Sequence, residues 1–253
     1  MVRFSVVIPA RLRSTRLPEK VLLDIAGRPM VQHVYDRARA SGAEEVIIAT
    51  DDPRIADRCR QFGAEVQPTA SAHRCGTDRV AEAVRRRALA PGHIVVNVQA
   101  DEPLLPPELV RQVAADLAAR PEADMATLCT VIAEAPLVFD PNVVKVVRDH
   151  RGFALYFSRA PIPWHRDRFG HGSPTLPPDT PYHRHVGLYA YRVASLLRLA
   201  AEPPDALELA ESLEQLRALA CGLRIYVGEA PLVPEPGVDT PADLQRVRAR
   251  LTA

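Results

Sequence analysis

The sequence has few cysteines, no long apolar run and almost no net charge, and each shortage excludes a class of protein. No apolar run approaches the ~20 residues that cross a bilayer, and the apolar stretch near the N-terminus is too short for a signal peptide. A formal net charge of +1 gives no indication of nucleic-acid or membrane binding. The cysteines form no CxxC pair and match no zinc spacing, so we expect reduced thiols in a cytosolic protein: Cys59, Cys75, Cys129 and Cys221.

Common nucleotide-binding loops and repeats are also missing. The chain contains neither GxxxxGK[ST] nor GxGxxG, which excludes a Walker loop and a dinucleotide fingerprint. It has no internal repeat, no heptad run and no linker that would separate two independent domains. A chain of 253 residues, 47% of them apolar, fits one large α/β domain or a core domain with an inserted lobe.

What the first half does contain is an alternation of short apolar runs with helical patterns. The runs are rich in β-branched residues and end in polar loops: 4–8, 45–50 and 94–99. Between and after them the spacing predicts helices over 29–41, 53–62 and 78–89, with Gly42 and Gly63 as stop signals. This pattern predicts a three-layer α/β/α sandwich around a mostly parallel sheet, whose ligands bind beyond the carboxyl ends of the strands.

The second half has a different pattern and suggests a smaller lobe inserted in the same domain. The sequence predicts strands at 143–148 and 152–157 around a turn, then a Pro-rich loop over 161–181 that we expect to be mobile without ligand. Further elements are a strand at 185–191, a helix over 205–220, a strand at 224–228, and a turn at 236–241 that leads into the last helix.

The loop after the first strand carries four cations within ten residues: Arg11, Arg13, Arg16 and Lys20. Cations and backbone N–H groups in this position form an anion site, and a triphosphate is the natural guest. The alternative interpretation is a solvated basic loop with no ligand.

A set of motifs in order along the chain resembles one family, the 3-deoxy-manno-octulosonate (Kdo) cytidylyltransferases. The N-terminal part reads Val-Ile-Pro-Ala-Arg, Ser-Thr-Arg-Leu-Pro-x-Lys and Leu-x-Asp-Ile-x-Gly-x-Pro-Met, followed by Ala-Thr-Asp at 49–51, Gly-Thr-Asp-Arg at 76–79 and Val-Asn-Val-Gln-Ala-Asp-Glu-Pro at 96–103. The later part includes Tyr-Phe-Ser-Arg at 156–159, Arg-His-Val-Gly-Leu-Tyr at 184–189, Leu-Glu-Gln-Leu-Arg at 213–217 and Gly-Val-Asp-Thr-Pro at 237–241. The resemblance covers essentially the whole chain.

The resemblance implies a Mg²⁺-dependent nucleotidyltransferase that joins CTP to Kdo, releases pyrophosphate and supplies activated Kdo for lipopolysaccharide in the cytoplasm of bacteria. Family members are typically homodimers. We expect residues 1–130 to bind mainly CTP, 131–235 to serve the sugar acid and dimerisation, and 236–253 to form the metal-binding turn and last helix. The alternatives are a cytidylyltransferase for an amino-substituted Kdo or a sialic acid, and a nonenzymatic nucleotide-binding protein on the same fold.

The resemblance also implies roles for individual residues. Asp101 and Asp239 hold the metal, and with Arg11 and Lys20 they form the catalytic set; Asp239 could instead only cap the last helix. The nucleotide contacts are Pro9, Ala10, Arg11, Arg16, Lys20, Cys75, Gly76, Thr77 and Arg79. The free N–H groups and the Thr77 hydroxyl could read a base edge, and the alternative is ordinary capping by Thr77 or Asp78. The sugar-acid contacts are Gln99, Arg159, His185, Tyr189, Glu214 and Gln215.

Arg159 is the first choice for the sugar carboxylate, because a guanidinium grips both oxygens, whereas a lone His185 in a strand is more often structural. Two departures from the family pattern stand near the site. Ala100 replaces a glycine beside the metal loop and adds a Cβ there, and Cys75 with Asp78 replaces the usual Ser and Glu. We expect activity to survive both changes. No base accompanies Cys75, so a nucleophilic role for it is not indicated.

Overall fold

A computed structural model describes residues 2–12, 16–169 and 175–252, and all structural statements refer to these residues. Arg13 of the basic loop and residues 170–174 of the Pro-rich loop lie outside them. The described strands are β1 (Phe4–Ala10), β2 (Asp24–Ile25), β3 (Arg28–Pro29), β4 (Glu45–Thr50), β5 (Glu65–Pro68), β6 (Ile94–Asn97), β7 (Met125–Val131), β8 (Lys145–Arg148), β9 (Ala154–Ser158), β10 (His183–Arg192) and β11 (Ile225–Glu229).

The helices follow and separate these strands along the chain. They are α1 (Met30–Ala40), α2 (Pro53–Gln61), α3 (Gly76–Arg86), α4 (Pro107–Ala118), α5 (Ala135–Phe139), α6 (Arg166–Phe169), α7 (Val193–Ala201), α8 (Ala206–Glu211), α9 (Gln215–Ala220) and α10 (Pro241–Thr252), with a short 3₁₀ turn at Lys20–Leu22. None of the described helices is both long and apolar enough to span a membrane.

The central sheet has the strand order β11-β7-β10-β6-β1-β4-β5. Neighbours pair in parallel throughout this order except at β10, which is antiparallel to both β6 and β7. The β8–β9 hairpin joins the edge of β10 through the pair Arg184 and Lys145. The predicted mostly parallel α/β sandwich is therefore confirmed.

Two-sided burial explains why the strands read as continuous apolar runs. Every residue of β1 is buried. Val6 and Ile8 pack on one face with helices α1, α2 and α4, whereas Val7 packs on the other face with α3, α7 and α9. Helices thus cover both faces of the sheet, which directs ligands to its ends.

The predicted helix over 205–220 is wrong in one respect, because it is two helices. Ser212 adopts a left-handed conformation (φ 51°) at the end of α8, and α9 begins at Gln215. A non-glycine residue in this region interrupts the helical hydrogen bonds. The break matters for the site, since it frees Glu211 and Glu214 to point at different neighbours.

The Pro-rich loop is also more structured than the sequence indicates. It contains the short helix α6, whose Phe169 packs with Tyr182, Ile132, Val138 and Val143 in a small core of its own. This core and the β8–β9 hairpin make up the smaller lobe. At the hairpin turn Gly152 has φ +84°, and a Cβ there would lie 2.7 Å from the Tyr226 ring, so glycine is required by both conformation and space.

Candidate active site

A cleft of about 460 Å³ opens at the carboxyl ends of β1 and β6. Its walls come from the loop after β1, the loop after β6, the beginning of α3 and the turn before α10. The lining residues are Pro9, Arg11, Arg16, Lys20, Val21, His73, Cys75, Gly76, Arg79, Gln99, Ala100, Asp101 and Asp239. Motifs that the sequence separates by more than two hundred residues therefore meet at one edge of the sheet, as predicted.

Lys20 lies at the centre of the charges in this cleft. Its Nζ donates to Asp101 Oδ2 at 2.6 Å and to Asp239 Oδ1 at 3.0 Å. Burial opposes the charged form of Lys20, but the attraction and hydrogen bonds of the two carboxylates outweigh it, so the pKa of Lys20 is raised. Arg16 Nη2 adds a second cation 3.0 Å from Asp239 Oδ1. The two carboxylates thus converge on one point and are partly neutralised there.

Asp239 does not cap the last helix. Thr240 and Asp243 form the cap instead: Asp243 Oδ2 accepts from Thr240 N at 2.9 Å, and Thr240 Oγ1 accepts from Asp243 N at 3.2 Å. This reciprocal pair satisfies the free N–H groups of the first turn. The Asp239 carboxylate therefore faces the cleft, and the capping interpretation from the sequence is wrong.

One backbone hydrogen bond and the small size of Gly237 hold the carboxylate loops together. Val238 N donates to Asp101 O at 2.8 Å, and a Cβ on Gly237 would lie 3.0 Å from the same oxygen. A larger residue at position 237 would push the loops apart. Val238 itself is buried in a core with α10 and Ile25, which fixes the position of the turn before α10. The spacing of Asp101 and Asp239 is thus set by packing before any ligand binds.

The two departures from the family pattern fit the backbone. Ala100 is buried, and it is absent from the described residues with positive φ, so its methyl group needs no strained conformation. Cys75 is the N-cap of α3, where its sulfur accepts from Asp78 N at 3.5 Å. The cap is therefore Cys75 and not Thr77 or Asp78. Burial, followed by the charge of Glu214, raises the pKa of the Cys75 thiol to about 12, which makes it a poor nucleophile.

Arg79 is a nearly fully buried cation in the wall of the cleft. It forms an ion pair with Asp51 at 3.0 Å and donates to Thr69 Oγ1 at 2.5 Å. Asp51 directly follows β4, so this contact ties α3 to the end of that strand. The family resemblance implies a nucleotide contact for Arg79, but no role was predicted for Asp51 or Thr69, whose contacts with Arg79 join distant segments.

Three of the six residues assigned to the sugar acid, His185, Tyr189 and Glu214, form a polar row beside the cleft together with Tyr191. The His185 ring centroid lies 5.4 Å from that of Tyr189, and Tyr189 lies 5.9 Å from Tyr191. Tyr191 neighbours Glu214, Thr77 and Cys75, so the row reaches the beginning of α3. Gln99 lines the cleft itself, against Gly76. Ala10 and Thr77, both assigned to the nucleotide, are buried just behind the lining residues.

Arg159 is not among the residues that line the cleft. Its Nε donates to Glu211 O at 2.7 Å and its Nη1 to Pro141 O at 2.9 Å, whereas Nη2 forms no hydrogen bond with the described residues. Lys145, whose role the sequence did not resolve, is fully buried and donates to the carbonyls of Asp140, Val143 and Arg159 at 2.8, 2.6 and 2.7 Å. Both cations therefore tie together the loops of the smaller lobe.

The donor set of the cleft suits a hard divalent cation that is shared with phosphate. Asp101 and Asp239 offer carboxylate oxygens at one point, and Mg²⁺ is commonly held by one or two carboxylates together with substrate phosphates. In the described part of the chain, no group of three or more His, Cys, Asp or Glu could form an all-protein metal cage. The residues present therefore fit a metal that arrives with a phosphorylated ligand.

An α/β sandwich with cations and paired carboxylates at the carboxyl edge of its sheet is the architecture of a nucleotide-dependent transferase. The family model described as cytidylyltransferase matches residues 5–225. The 3-deoxy-manno-octulosonate cytidylyltransferase of Pseudomonas syringae pv. tomato is 55% identical over 99% of this chain and 98% of its own length. Its namesake from Idiomarina loihiensis is 54% identical over 97% of both chains.

A solved structure agrees with these relatives. CMP:2-keto-3-deoxy-manno-octonic acid synthetase in complex with CTP superimposes with a TM-score of 0.89 at 43% identity, over 99% of this chain and 98% of the other. The chain belongs to the cytidylyltransferase family, among the 3-deoxy-manno-octulosonate cytidylyltransferases.

The environment of His185 leads to a prediction for stability against pH. Burial lowers the pKa of His185 from 6.5 to about 3, and its Nε2 lies 3.0 Å from Thr127 Oγ1. Between these two pH values the unfolded chain binds a proton that the folded protein does not, so stability falls as the pH falls. Between pH 7 and pH 4 we expect the free energy of unfolding of His185→Phe to fall by roughly 1–2 kcal/mol less than that of wild type. The difference is kept this small because the imidazole ring is partly accessible and solvent screens its charge.

Chemical denaturation of both proteins at several pH values would measure this difference. His183 also has a pKa lowered by burial, and by the nearby charge of Arg148, and it is unchanged in the variant. Its contribution therefore cancels in the comparison. Parallel curves for the two proteins would show that His185 can take up a proton in the folded state.

Proposed function

We propose that this protein transfers the cytidylyl group of CTP to the anomeric hydroxyl of 3-deoxy-D-manno-octulosonate and releases pyrophosphate. The hydroxyl oxygen forms a bond to the α-phosphorus, the bond from that phosphorus to the bridging oxygen breaks, and pyrophosphate leaves with the electron pair. The hydroxyl proton passes to solvent. The observation that carries the proposal is the convergence of Lys20, Asp101 and Asp239 in one cleft. Relatives of this chain are named 3-deoxy-manno-octulosonate cytidylyltransferase.

The cations of the cleft are suited to a triphosphate. Arg11, Arg16 and Lys20 line the same wall, and the raised pKa of Lys20 keeps its ammonium charged at neutral pH. Charge-assisted hydrogen bonds from these groups would orient the β- and γ-phosphates for an in-line displacement. Catalysis then consists of positioning and of fixed positive charge where the leaving group develops negative charge.

Asp101 and Asp239 are the residues that would hold Mg²⁺. The ion would offset phosphate charge and polarise a phosphoryl oxygen when it is bound. Lys20 and Arg16 offset the negative charge of the two carboxylates in the absence of a metal. The protein therefore contributes to metal binding a pair of carboxylate oxygens that is already in position.

The sugar acid is assigned to the polar row formed by His185, Tyr189 and Glu214, with Gln99 toward the nucleotide. Gln215 supports this assignment, because its Nε2 is buried without a hydrogen-bond partner among the described residues. A buried amide of this kind is costly unless a ligand completes it. A related acceptor, an amino-substituted Kdo or a sialic acid, would use the same kinds of group and is the second candidate.

Pyrophosphate release from each of the four NTPs, with and without Kdo, tests the proposed function. We expect release only with CTP and Kdo together, and EDTA should abolish it until Mg²⁺ is added in excess. An amino-substituted Kdo and a sialic acid, tested as competing acceptors, would rank the alternatives. Equal use of all four NTPs, or release that does not depend on a sugar acid, would contradict the proposal.

The same assay tests the two carboxylates. We expect Asp101→Asn and Asp239→Asn each to lower kcat by roughly 10²-fold or more, by analogy with loss of one preorganised electrostatic contact. Asp57→Asn is a matched control, because Asp57 forms an exposed ion pair with Arg60 on α2 and does not line the cleft. Full activity in either cleft variant would remove that residue from the metal site.

Arg159 is proposed to meet the sugar carboxylate through the guanidinium edge that its backbone contacts leave available. We expect Arg159→Ala to raise KM for Kdo by roughly 10- to 150-fold, since a charge-assisted hydrogen bond contributes about 1.5–3 kcal/mol. Arg159→Lys should recover only part, because lysine lacks the planar fork. CTP binding should be nearly unchanged. Arg151→Ala, at the turn of the same hairpin, is the control.

Calorimetric titration with Kdo and with its carboxyl-reduced analogue separates direct contact from loop support. If Arg159 binds the carboxylate, wild type discriminates between the two ligands and Arg159→Ala does not. A variant that binds both ligands more weakly but still discriminates between them would show that Arg159 only holds the loops of Pro141 and Glu211, and His185 would then be the next candidate.

The place of action is proposed to be the cytoplasm, where the protein supplies activated Kdo for lipopolysaccharide.

The assembly is proposed to be a homodimer formed through the β8–β9 hairpin. Among the described residues β9 pairs only with β8 in the sheet, and Leu155 on β9 is 60% exposed. An unpaired strand edge with an exposed leucine favours a second copy. Sedimentation at micromolar concentration should give a dimer, and Leu155→Arg should shift it toward monomer. A monomeric wild type would exclude this assembly.

A further inference from the structure

His73 lines the nucleotide cleft but belongs to none of the motifs identified in the sequence. Its side chain is 19% exposed, and its Nε2 forms a very short hydrogen bond with Glu82 Oε2. His73 stands two residues before the cap of α3, in the wall that carries Cys75 and Gly76. The phosphate-binding cations come from another segment, the loop after β1.

Glu82 is held in place by donors on both of its oxygens. Oε2 also accepts from Ala70 N at 2.8 Å, and Oε1 accepts from Arg86 Nε at 2.7 Å and lies 2.6 Å from Arg86 Nη2. Burial would raise the pKa of Glu82, but the hydrogen bonds from Ala70, His73 and Arg86 outweigh it and lower the pKa to about 2. The carboxylate is therefore an acceptor at every working pH.

The segment that carries His73 is fixed on α3 from two sides. Arg79 donates to Ala70 O at 3.4 Å and to Thr69 Oγ1, while Glu82 accepts from Ala70 N. Both backbone groups of Ala70 are thus bound by side chains of the same helix. This arrangement holds the imidazole ring in one orientation, as a site that must distinguish similar ligands requires.

The contact with Glu82 decides which ring nitrogen can meet a ligand. Since Glu82 only accepts, Nε2 donates the proton of this hydrogen bond, and Nδ1 of the imidazole is the nitrogen that can accept. Among the described residues Nδ1 has no hydrogen-bond partner. Cytosine and uracil have nearly the same shape but differ at position 4, where cytosine carries an amino donor and uracil a carbonyl acceptor. A fixed acceptor at that position accepts from cytosine and repels uracil.

We propose that Nδ1 of His73 accepts a hydrogen bond from the exocyclic amino group of the base, and that Glu82 is the positioning residue that makes this pair select CTP over UTP. The inference rests on the proposed function, which supplies CTP as the nucleotide.

The ratio of kcat/KM for CTP to that for UTP measures this selection directly. We expect His73→Phe, which keeps a planar ring, to reduce the ratio about tenfold, the effect of one neutral hydrogen bond at the upper end of its range. Glu82→Ala should reduce the ratio in the same direction. If Glu82 acts through His73, the double variant should reduce it no further than His73→Phe alone.

Arg86→Gln is the matched control, because it removes the charged side-chain donor to Glu82 and leaves the contacts with His73 and Ala70 N. Its ratio should stay near that of wild type. Calorimetric binding of CMP and UMP to the same variants repeats the comparison without turnover, and thermal unfolding monitored by circular dichroism identifies any variant that fails to fold.

An equal loss for CTP and UTP in His73→Phe would overturn the inference, because it would assign the ring to the ribose or phosphate. An unchanged ratio with unchanged rates would also overturn it. Loss of selectivity in the Arg86 control would assign the effect to the charge around Glu82 and not to the ring. Wild type that uses no NTP with Kdo would contradict the proposed function instead, so the two failures are distinguishable.

Discussion

The hydrogen bonds from Lys20 to Asp101 and Asp239 are the contact on which the rest of the site depends. Two carboxylates that face one point in a cleft repel each other, and one ammonium between them reduces that repulsion. The three residues come from the beginning, the middle and the end of the chain. They can meet only because β1 and β6 are parallel neighbours and because α10 packs its turn against the same edge.

The surrounding structure keeps this charge cluster available to a ligand. Thr240 and Asp243 cap α10, so Asp239 is not used as a cap, and the bond from Val238 N to Asp101 O fixes the distance between the loops. Lys145 gives a useful contrast. It is another buried lysine, but three backbone carbonyls occupy its three N–H donors, and no charge that a substrate could replace lies among them. Its role is therefore structural, whereas the partners of Lys20 lie in an open cleft.

Features of the fold and site that depend on neighbouring residues could be predicted from the sequence, whereas features that depend on contacts between distant residues could not. Strands β1 and β4 and helices α1 and α2 were predicted within two residues, because two-sided burial and glycine stops are local signals. The cleft residues near Lys20 and Asp101 followed from their position after buried strands. The break at Ser212 was missed, since serine is not a residue type that indicates a left-handed conformation. His73 was missed because its proposed role depends on a contact with Glu82, nine residues away. Asp239 was ambiguous until the cap at Thr240 was seen.

The site divides recognition between two kinds of support, and the division has a physical reason. Among the cations proposed for the phosphates, Arg16 has a side chain that is 65% exposed and can adjust to a ligand, whereas Lys20 is held between two carboxylates. The groups proposed for the base are fixed: Arg79 and Glu82 hold the wall that bears His73, and Cys75 caps the helix that follows it. Discrimination between two bases of the same shape depends on one donor or acceptor, so that atom must be held still, whereas a triphosphate is recognised by net charge and tolerates adjustment.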